Sequence, residues 1–251
     1  MRLNNSLMLL AALSTGALAR LEGHAPTTTS SGASADWTNT PSDGTYSTAG
    51  FGASTNSSGS SYTYKGNVGS PYGSNIITVD ASKASEYKYV VQFTGSNTDE
   101  WEVVIWNKYG EDGKMDGWFG RACHTFKLAA GETKYYAFDD DSQGGWAAAK
   151  GSVPTNDLGE YASTWGEFDL GSTTNSGWSG FDVSAIVAQD SDMTVQGMKI
   201  CDALGDTCSS ITSGAGTVSN AYTSAETDVG GIGGNLAAGA VRLAVTLDYS
   251  E

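Results

Sequence analysis

The run AVRLAVTLDY, residues 240–249, alternates with a period of two. Val241, Leu243, Val245, Leu247 and Tyr249 fall on one face, and Arg242, Thr246 and Asp248 on the other. That period suits an extended strand with one face buried, because on a helix the same residues would scatter around the axis. Comparable runs recur along the chain: YKYVVQF (Tyr87–Phe93), WEVVIWN (Trp101–Asn107), KYYAF (Lys134–Phe138) and MTVQGMKIC (Met193–Cys201). They are rich in β-branched and aromatic residues and are separated by turn formers. One stretch departs from the pattern. In PTNDLGEYASTWGEF, Leu158, Tyr161, Trp165 and Phe168 recur near a helical period after a Thr-Asn-Asp cap cluster, with Gly159 and Gly166 weakening the signal. The expected architecture is mainly β, a β-sandwich or jelly roll, with a short helical excursion near 156–168.

The first residues have a different character. Arg2 precedes an apolar run from about Leu7 to Leu13, and small residues Ala17 and Ala19 follow. This order describes a signal peptide over residues 1–19, and hence an exported protein. No later apolar stretch reaches the about 20 residues of a membrane span. From residue 20 to 61 Ser, Thr and Gly dominate and the charges thin out. Such a segment cannot bury enough surface to offset its ordering entropy, so a disordered stalk is expected. It carries an N-glycosylation sequon at Asn56-Ser57-Ser58. Residues 62–251 then form one β-sandwich domain, long enough to bury a sizeable core.

The formal charge of −15 becomes −16 once Arg2 leaves with the leader. A field of that sign repels phosphate polymers and anionic surfaces, so nucleic acid and membrane are not expected partners. A neutral sugar polymer fits better. Of the three cysteines, Cys201 and Cys208 enclose DALGDT, a turn-like sequence, and are expected to pair in an oxidising compartment. Closing that loop is worth about 2.5 kcal/mol on the chain-entropy account. Cys123 is left over, either buried or free for an intermolecular bond. His24 and His124 are the only histidines, too few with these cysteines to supply a zinc site, and no cofactor motif is legible, so no cofactor is expected.

Two acidic constellations stand out. Asp139, Asp140 and Asp141 are consecutive, and with Ser142-Gln143-Gly144 they begin like a calcium loop. Lys150 stands where the bidentate acid should be, which leaves Asp139 and Asp141 as weak metal candidates and a strand-end turn as the plainer reading. The second constellation is Glu167, Asp169 and Asp182 in TWGEFDLG and SGFDVS. Glu167 beside Trp165 has the apolar neighbour that raises a carboxyl pKa, and hydrolysis of a glycosidic bond needs two carboxyls in unlike environments. Trp146 and Trp178 lie beside glycines, where a ring can be presented to a sugar. A helix-end acid and core tryptophans would explain the same residues without function.

The blocks YTYKGNVGSPYGSNI, MDGWFG, FDDDSQGGWAA, YASTWGEFD, GWSGFDVSAIVAQ, MKIC and SNAYTSAETDVGGIGGNLA together resemble the secreted fungal allergen family of the Asp f IV type. The resemblance covers roughly Tyr62 to Ala238. It implies a secreted, extracellular fungal protein bound by host IgE, and it names no biochemical activity.

A more distant likeness is to thaumatin-like proteins. AAGETKYYAFDDDSQGGW is similar to their strand–turn–strand, STWGEF to their TLAEF, and the stretch from Asp182 to Thr194 to their DISLVDGFNIPMT. That likeness implies a thaumatin-like fold and an acidic, glucan-binding cleft whose acids fall on Glu167 and Asp182. A further acid of that family falls on Val187, and its cleft arginine has Lys150 as the nearest counterpart.

The expectation is therefore a cell-wall or matrix protein that binds polysaccharide through Glu167, Asp182, Trp165, Trp178 and Trp146. The alternatives are a β-glucan hydrolase with Glu167 as acid and Asp182 as base, and a structural or virulence protein without a sugar site.

Overall fold

The computed structural model describes residues 36–96 and 98–251. The expected signal peptide 1–19, His24 and the start of the expected stalk lie outside the described residues. Thirteen strands follow in order. The first six are β1 (Ile76–Val79), β2 (Tyr89–Thr94), β3 (Trp101–Asn107), β4 (His124–Leu128), β5 (Thr133–Phe138) and β6 (Ser142–Lys150). Then come β7 (Trp165–Ser172), β8 (Trp178–Ser184), β9 (Met198–Asp202), β10 (Cys208–Ile211), β11 (Val218–Ser219), β12 (Gly234–Leu236) and β13 (Val241–Leu247). Two α-helices, α1 (Ala81–Ala84) and α2 (Ile186–Asp190), are short. The strands form a seven-stranded sheet, ordered β1-β5-β2-β13-β9-β10-β11, and a six-stranded sheet, ordered β12-β8-β7-β6-β3-β4. Both sheets are antiparallel apart from the β13–β2 pair.

The alternation read from the sequence explains how the sheets meet. Val241, Leu243, Val245 and Leu247 of β13 turn inward with Val91 and Phe93 of β2, against Val103 and Ile105 of β3 and Trp146 of β6. Trp146 stacks on Phe168 of β7 at 5.6 Å, and Phe93 meets the Trp146 ring edge-on at 5.3 Å. This aromatic contact joins the two sheets into a β-sandwich.

No helix forms over 156–168. Leu158 is 71% exposed, and β7 begins at Trp165. Trp165 and Phe168 are an odd number of residues apart, so the strand sends them to opposite faces. Phe168 enters the core between the sheets, whereas Trp165 joins Trp106, Trp118, Tyr161 and Val187 in a second apolar cluster. Gly166 lies between them because a Cβ there would come within 2.3 Å of the Trp146 indole. The glycine that weakens a helix thus admits an aromatic ring to a strand.

Of the stretch expected to be a stalk, residues 36–61 fall in the described part and lie against the domain. Trp37 packs on Tyr135 at 5.8 Å and Phe51 on Tyr87 at 5.6 Å, covering Val90 and Ala137 on the outer face of the seven-stranded sheet. Arg242, fully buried on that same face, donates to the carbonyls of Trp37 and Asn39 as well as to those of Ser85, Tyr87 and Lys88.

Candidate functional site: an acid pair on the outer face of the six-stranded sheet

The register of the six-stranded sheet assembles the site. On β7, Glu167 and Asp169 point outward on the same face as Trp165. Asp182 of β8 stands directly across from Glu167, Gly145 of β6 is opposite it on the other side, and Trp106 of β3 pairs with Gly145. This gives one row across four strands: Asp182, Glu167, Gly145, Trp106. The neighbouring row reads Asn235 of β12, Gly180 of β8, Asp169 of β7 and Gln143 of β6. Lys108, just beyond β3, hydrogen-bonds its backbone N–H to the Gln143 carbonyl at 2.8 Å and closes that row. Glycine holds one place in each row. At Gly145 a Cβ would strike the Trp106 ring at 2.7 Å, so the missing side chain lets the indole lie beside the acids.

The polar groups here are poorly served by the protein. Glu167, Asp182, Gln143 and Lys108 are each 3–6% exposed. Asp182 Oδ1, Asp169 Oδ1, Gln143 Oε1 and Trp106 Nε1 are buried with no hydrogen-bond partner among the described residues. Buried polar atoms in native proteins are normally partnered, so this concentration leaves hydrogen-bonding capacity for water or a ligand. Burial pushes the Glu167 carboxyl up to about 7, against an opposing pull from Asp182 and Lys108. Asp182 is driven well above the ordinary range by burial, then by the Glu167 charge and its hydrogen bond. Two buried carboxyls on directly opposed positions disfavour a second charge, so the pair retains a proton well above the ordinary carboxyl range. Asp169 is raised to about 6 by burial, with Gln143 and Ser172 opposing the shift and the Asp141 charge adding to it. Burial lowers the Lys108 ammonium, and the Asp169 and Glu167 charges partly restore it.

Above Asp182 runs the segment Tyr222–Gly233. The Tyr222 hydroxyl accepts the Ile232 N–H at 3.1 Å, and Gly233, at φ +107°, passes so close that a Cβ would lie 2.7 Å from that of Asp182. The Asp182 and Glu167 charges add to the effect of burial in raising the Tyr222 phenol.

The expected site residues separate into three groups. Glu167 and Asp182 come together, and Asp169 joins them. Trp178, at the start of β8, is 38% exposed on the face that carries Gly180 and Asp182, about 13 Å along the strand from Asp182. Trp165 is 4% exposed within the second apolar cluster, its Nε1 donating to the Tyr161 carbonyl, and Trp146 is fully buried between the sheets. Neither of these two rings offers a face for stacking, because each fills space that the sheet must exclude from water. The cation beside the acids is Lys108, not Lys150. Lys150 ends β6 and pairs with Asp99 at 2.8 Å, at the far end of the strand from Gln143. Val187 lies in the second cluster.

Asp139, Asp140 and Asp141 occupy the turn from β5 to β6 and serve separate partners. Asp139 accepts from Ser54 Oγ at 2.6 Å and Asn67 Nδ2 at 2.8 Å. Asp140 accepts from Lys88 Nζ and the Tyr89 hydroxyl, both at 2.7 Å. Asp141, at φ 64°, accepts from the Tyr64 hydroxyl at 2.7 Å and the Thr173 N–H at 3.0 Å. The carboxylates therefore diverge, and among the described residues no group of three or more His, Cys, Asp or Glu is arranged to hold a metal ion. Cys201 and Cys208 form a disulfide between directly paired positions of β9 and β10. Cys123 is unpaired, its thiol donating to the Ile105 carbonyl and pushed up to about 12 by burial. Asn56 is exposed.

Comparison with known proteins agrees with the sequence blocks. Among solved structures, the protein elicitor MoHrip2 from Magnaporthe oryzae aligns at 11% identity and a TM-score of 0.40, covering 64% of this chain and 99% of its own. IP-1A from Alcaligenes faecalis aligns at 11% identity and a TM-score of 0.24, covering 65% and 92%. Likenesses at those scores carry no weight for fold or function. The sequence relationship is much closer. Allergen Asp f 4 of Aspergillus fumigatus is 56% identical over 221 residues, 88% of this chain and 69% of that protein. Residues 74–247, which hold all thirteen strands, match the Allergen Asp f 4-like domain, and the chain belongs to that family.

Proposed function

We propose that this allergen-family protein is secreted, associates with the fungal cell wall, and binds β-glucan on the outer face of its six-stranded sheet. The observation that carries the reading is the pair of adjacent rows just described. Carboxyl and amide oxygens without protein partners stand near Gly180, a part-exposed position where the missing side chain lets a sugar ring approach the backbone. Sugar hydroxyls supply the donors those oxygens lack, and the exposed Trp178 ring offers a stacking surface at one end. The likeness to thaumatin-like proteins supports the same assignment, since it marks Glu167 and Asp182 as the acids of a glucan-binding cleft. A thaumatin-like or jelly-roll topology belongs to this reading. So do a signal peptide over 1–19, a glycan on the exposed Asn56, and recognition by host IgE.

The alternative reading is a hydrolase in which Glu167 and Asp182 flank a glycosidic bond at a separation of at least about 5 Å. Directly opposed strand positions have Cβ atoms only about 4.5–5.5 Å apart, which leaves little room for a sugar between the two carboxyls. The experiment is a pull-down of the secreted chain on insoluble β-1,3-glucan and on chitin, with soluble sugar followed in the supernatant. Capture on glucan without sugar release is expected, weakened several-fold by Glu167→Gln, by Asp169→Asn and by Trp178→Ala. Release of sugar would make the protein an enzyme, and absence of capture would remove the polysaccharide reading.

A further inference from the structure

The two outer faces of the sandwich differ in a way that the acid site does not use. On the seven-stranded sheet, one end of the outer face is apolar and is covered by Trp37 and Phe51. The other end is polar and, among the described residues, uncovered. There the register aligns Thr133 of β5, Thr94 of β2, Thr246 of β13, Lys199 of β9 and Ser210 of β10 in a single row. Adjacent members are about 4.8 Å apart, a spacing comparable to one pyranose ring. Over the middle of this row, Thr94, Thr246 and Lys199, lies an open groove of about 580 Å³, lined also by Ser96, Asp248, Tyr249 and Glu251 among others.

The end of the groove is constructed with some care. Just past β13 the chain turns at Asp248, whose φ is 57°, and the Asp248 carboxylate accepts from Ser96 Oγ at 2.8 Å. Gly197 lies so close to Tyr249 that a Cβ would come within 2.0 Å of the Tyr249 carbonyl, which accepts the Ser213 N–H at 3.3 Å. The Tyr249 ring is thereby held at the rim with Lys199 Nζ 5.1 Å from its centre. The groove thus offers hydroxyls that both donate and accept, one ammonium, the two carboxylates of Asp248 and Glu251, and one aromatic ring. With one ammonium, Lys199, against the carboxylates of Asp248 and Glu251, it lacks the cationic excess an anionic ligand requires. A neutral polyhydroxylated chain matches this set.

We propose that the groove over the Thr94–Thr246–Lys199 row is a second glycan-binding site, on the opposite side of the sandwich from Glu167 and Asp182, so that one molecule bridges two polysaccharide strands. Two modest sites on one rigid body also raise retention on a multivalent wall far above the affinity of either alone. The groove stands on its own geometry; only the bridging rests on the acid face as well.

The test titrates the protein with a soluble β-1,3-glucan hexasaccharide by calorimetry and follows clumping of β-glucan particles. Two sites per chain and clumping are expected for the wild type. The double variant Thr94→Val, Thr246→Val keeps the β-branched shape of the strands, and Tyr249→Ala lies beyond β13. Each should reduce the stoichiometry to one and abolish clumping while capture on particles persists. Glu167→Gln should remove the other site. A stoichiometry of one that the groove variants leave unchanged overturns the second site but keeps the acid-face reading. One site that the groove variants remove and Glu167→Gln leaves intact overturns the acid-face reading and the bridging, and upholds the groove. No heat and no capture overturn both.

Discussion

Glu167 and Asp182 stand directly opposite each other on β7 and β8, and both are more than nine-tenths buried. Like charges at opposed positions of an antiparallel pair are destabilising, and more so out of water. The sheet tolerates them because the pair retains a proton. Glu167 is raised from 4.5 to about 7, and Asp182 from 3.8 to well above it. Between the ordinary carboxyl range and about pH 7, the folded chain therefore binds protons that the unfolded chain releases. Stability is fully present at the acid end of that window and is lost as pH rises through about 7. Urea unfolding at pH 5 and pH 8 should show wild type losing a few kcal/mol across the interval. Glu167→Gln, which mimics the protonated acid, should lose distinctly less. Equal slopes for the two proteins would mean that Glu167 does not retain its proton in this window.

The six-stranded sheet depends on glycine at the position beside Glu167. Gly166→Ala would place a methyl group 2.3 Å from the buried Trp146 indole, which is itself stacked on Phe168. Neither ring can retreat, because Phe93 closes the space on another side. A destabilisation of about 1–3 kcal/mol is expected from overpacking, together with a changed tryptophan emission. A variant with the wild-type denaturation midpoint and spectrum would show that the ring has room to move.

Much of this fold was legible because strands bury alternate residues, and the alternation survives in the sequence at Val241–Leu247 and Tyr89–Thr94. The acids Glu167 and Asp182 could also be singled out, since each lies in a compact run of aromatic and small residues. Position 156–168 misled for a physical reason. Spacing alone does not distinguish one helical face from two faces of a strand preceded by a loop, and only the cross-strand partner of Gly166 decides. Lys108, Gln143 and Asn235 were not legible as site residues. Lys108 and Asn235 reach the acids through pairings between segments far apart in the chain, which local pattern does not encode. Gln143 does follow the aspartate triplet at a two-residue spacing from Gly145, and that spacing was the one available signal. The burial of Trp146 was equally hidden, because a tryptophan beside two glycines fits a loop as well as a crowded strand.

The aspartate triplet is expected to act in folding rather than in cation binding. Asp141 ties the Tyr64 hydroxyl and the Thr173 backbone to the start of β6, holding together three segments distant in sequence. Asp141→Ala removes these acceptors and places alanine at a positive φ, so a cost of about 2–4 kcal/mol is expected. Asp141→Asn keeps a residue suited to that backbone and should cost less. Both differences should be the same in calcium and in chelator. A wild-type melting temperature that rises with calcium, and a rise that Asp141→Ala abolishes, would assign the triplet to a metal after all.

Arg242 is the strongest single tie between the segment around residue 37 and the sandwich. It sits on the outer face of β13, fully buried, and its guanidinium donates only to backbone carbonyls: Trp37, Asn39, Ser85, Tyr87, Lys88 and Val241. No carboxylate among the described residues pairs with it, and burial lowers the guanidinium to about 10, still protonated at neutral pH. The planar fork is what lets one side chain satisfy carbonyls arriving from three directions. Arg242→Met fills much of the space but removes the donors to those carbonyls, of which that of Lys88 keeps the Val241 N–H as a backbone partner, at an expected cost on the order of 3–5 kcal/mol. Arg242→Lys, with three donors in place of five, should fall between that variant and the wild type. Because Trp37 and Asn39 lose their anchor, limited proteolysis of Arg242→Met should cut first between residues 36 and 51, before the sandwich is attacked. Resistance equal to wild type across that segment would show that the Trp37–Tyr135 and Phe51–Tyr87 contacts hold it without the arginine.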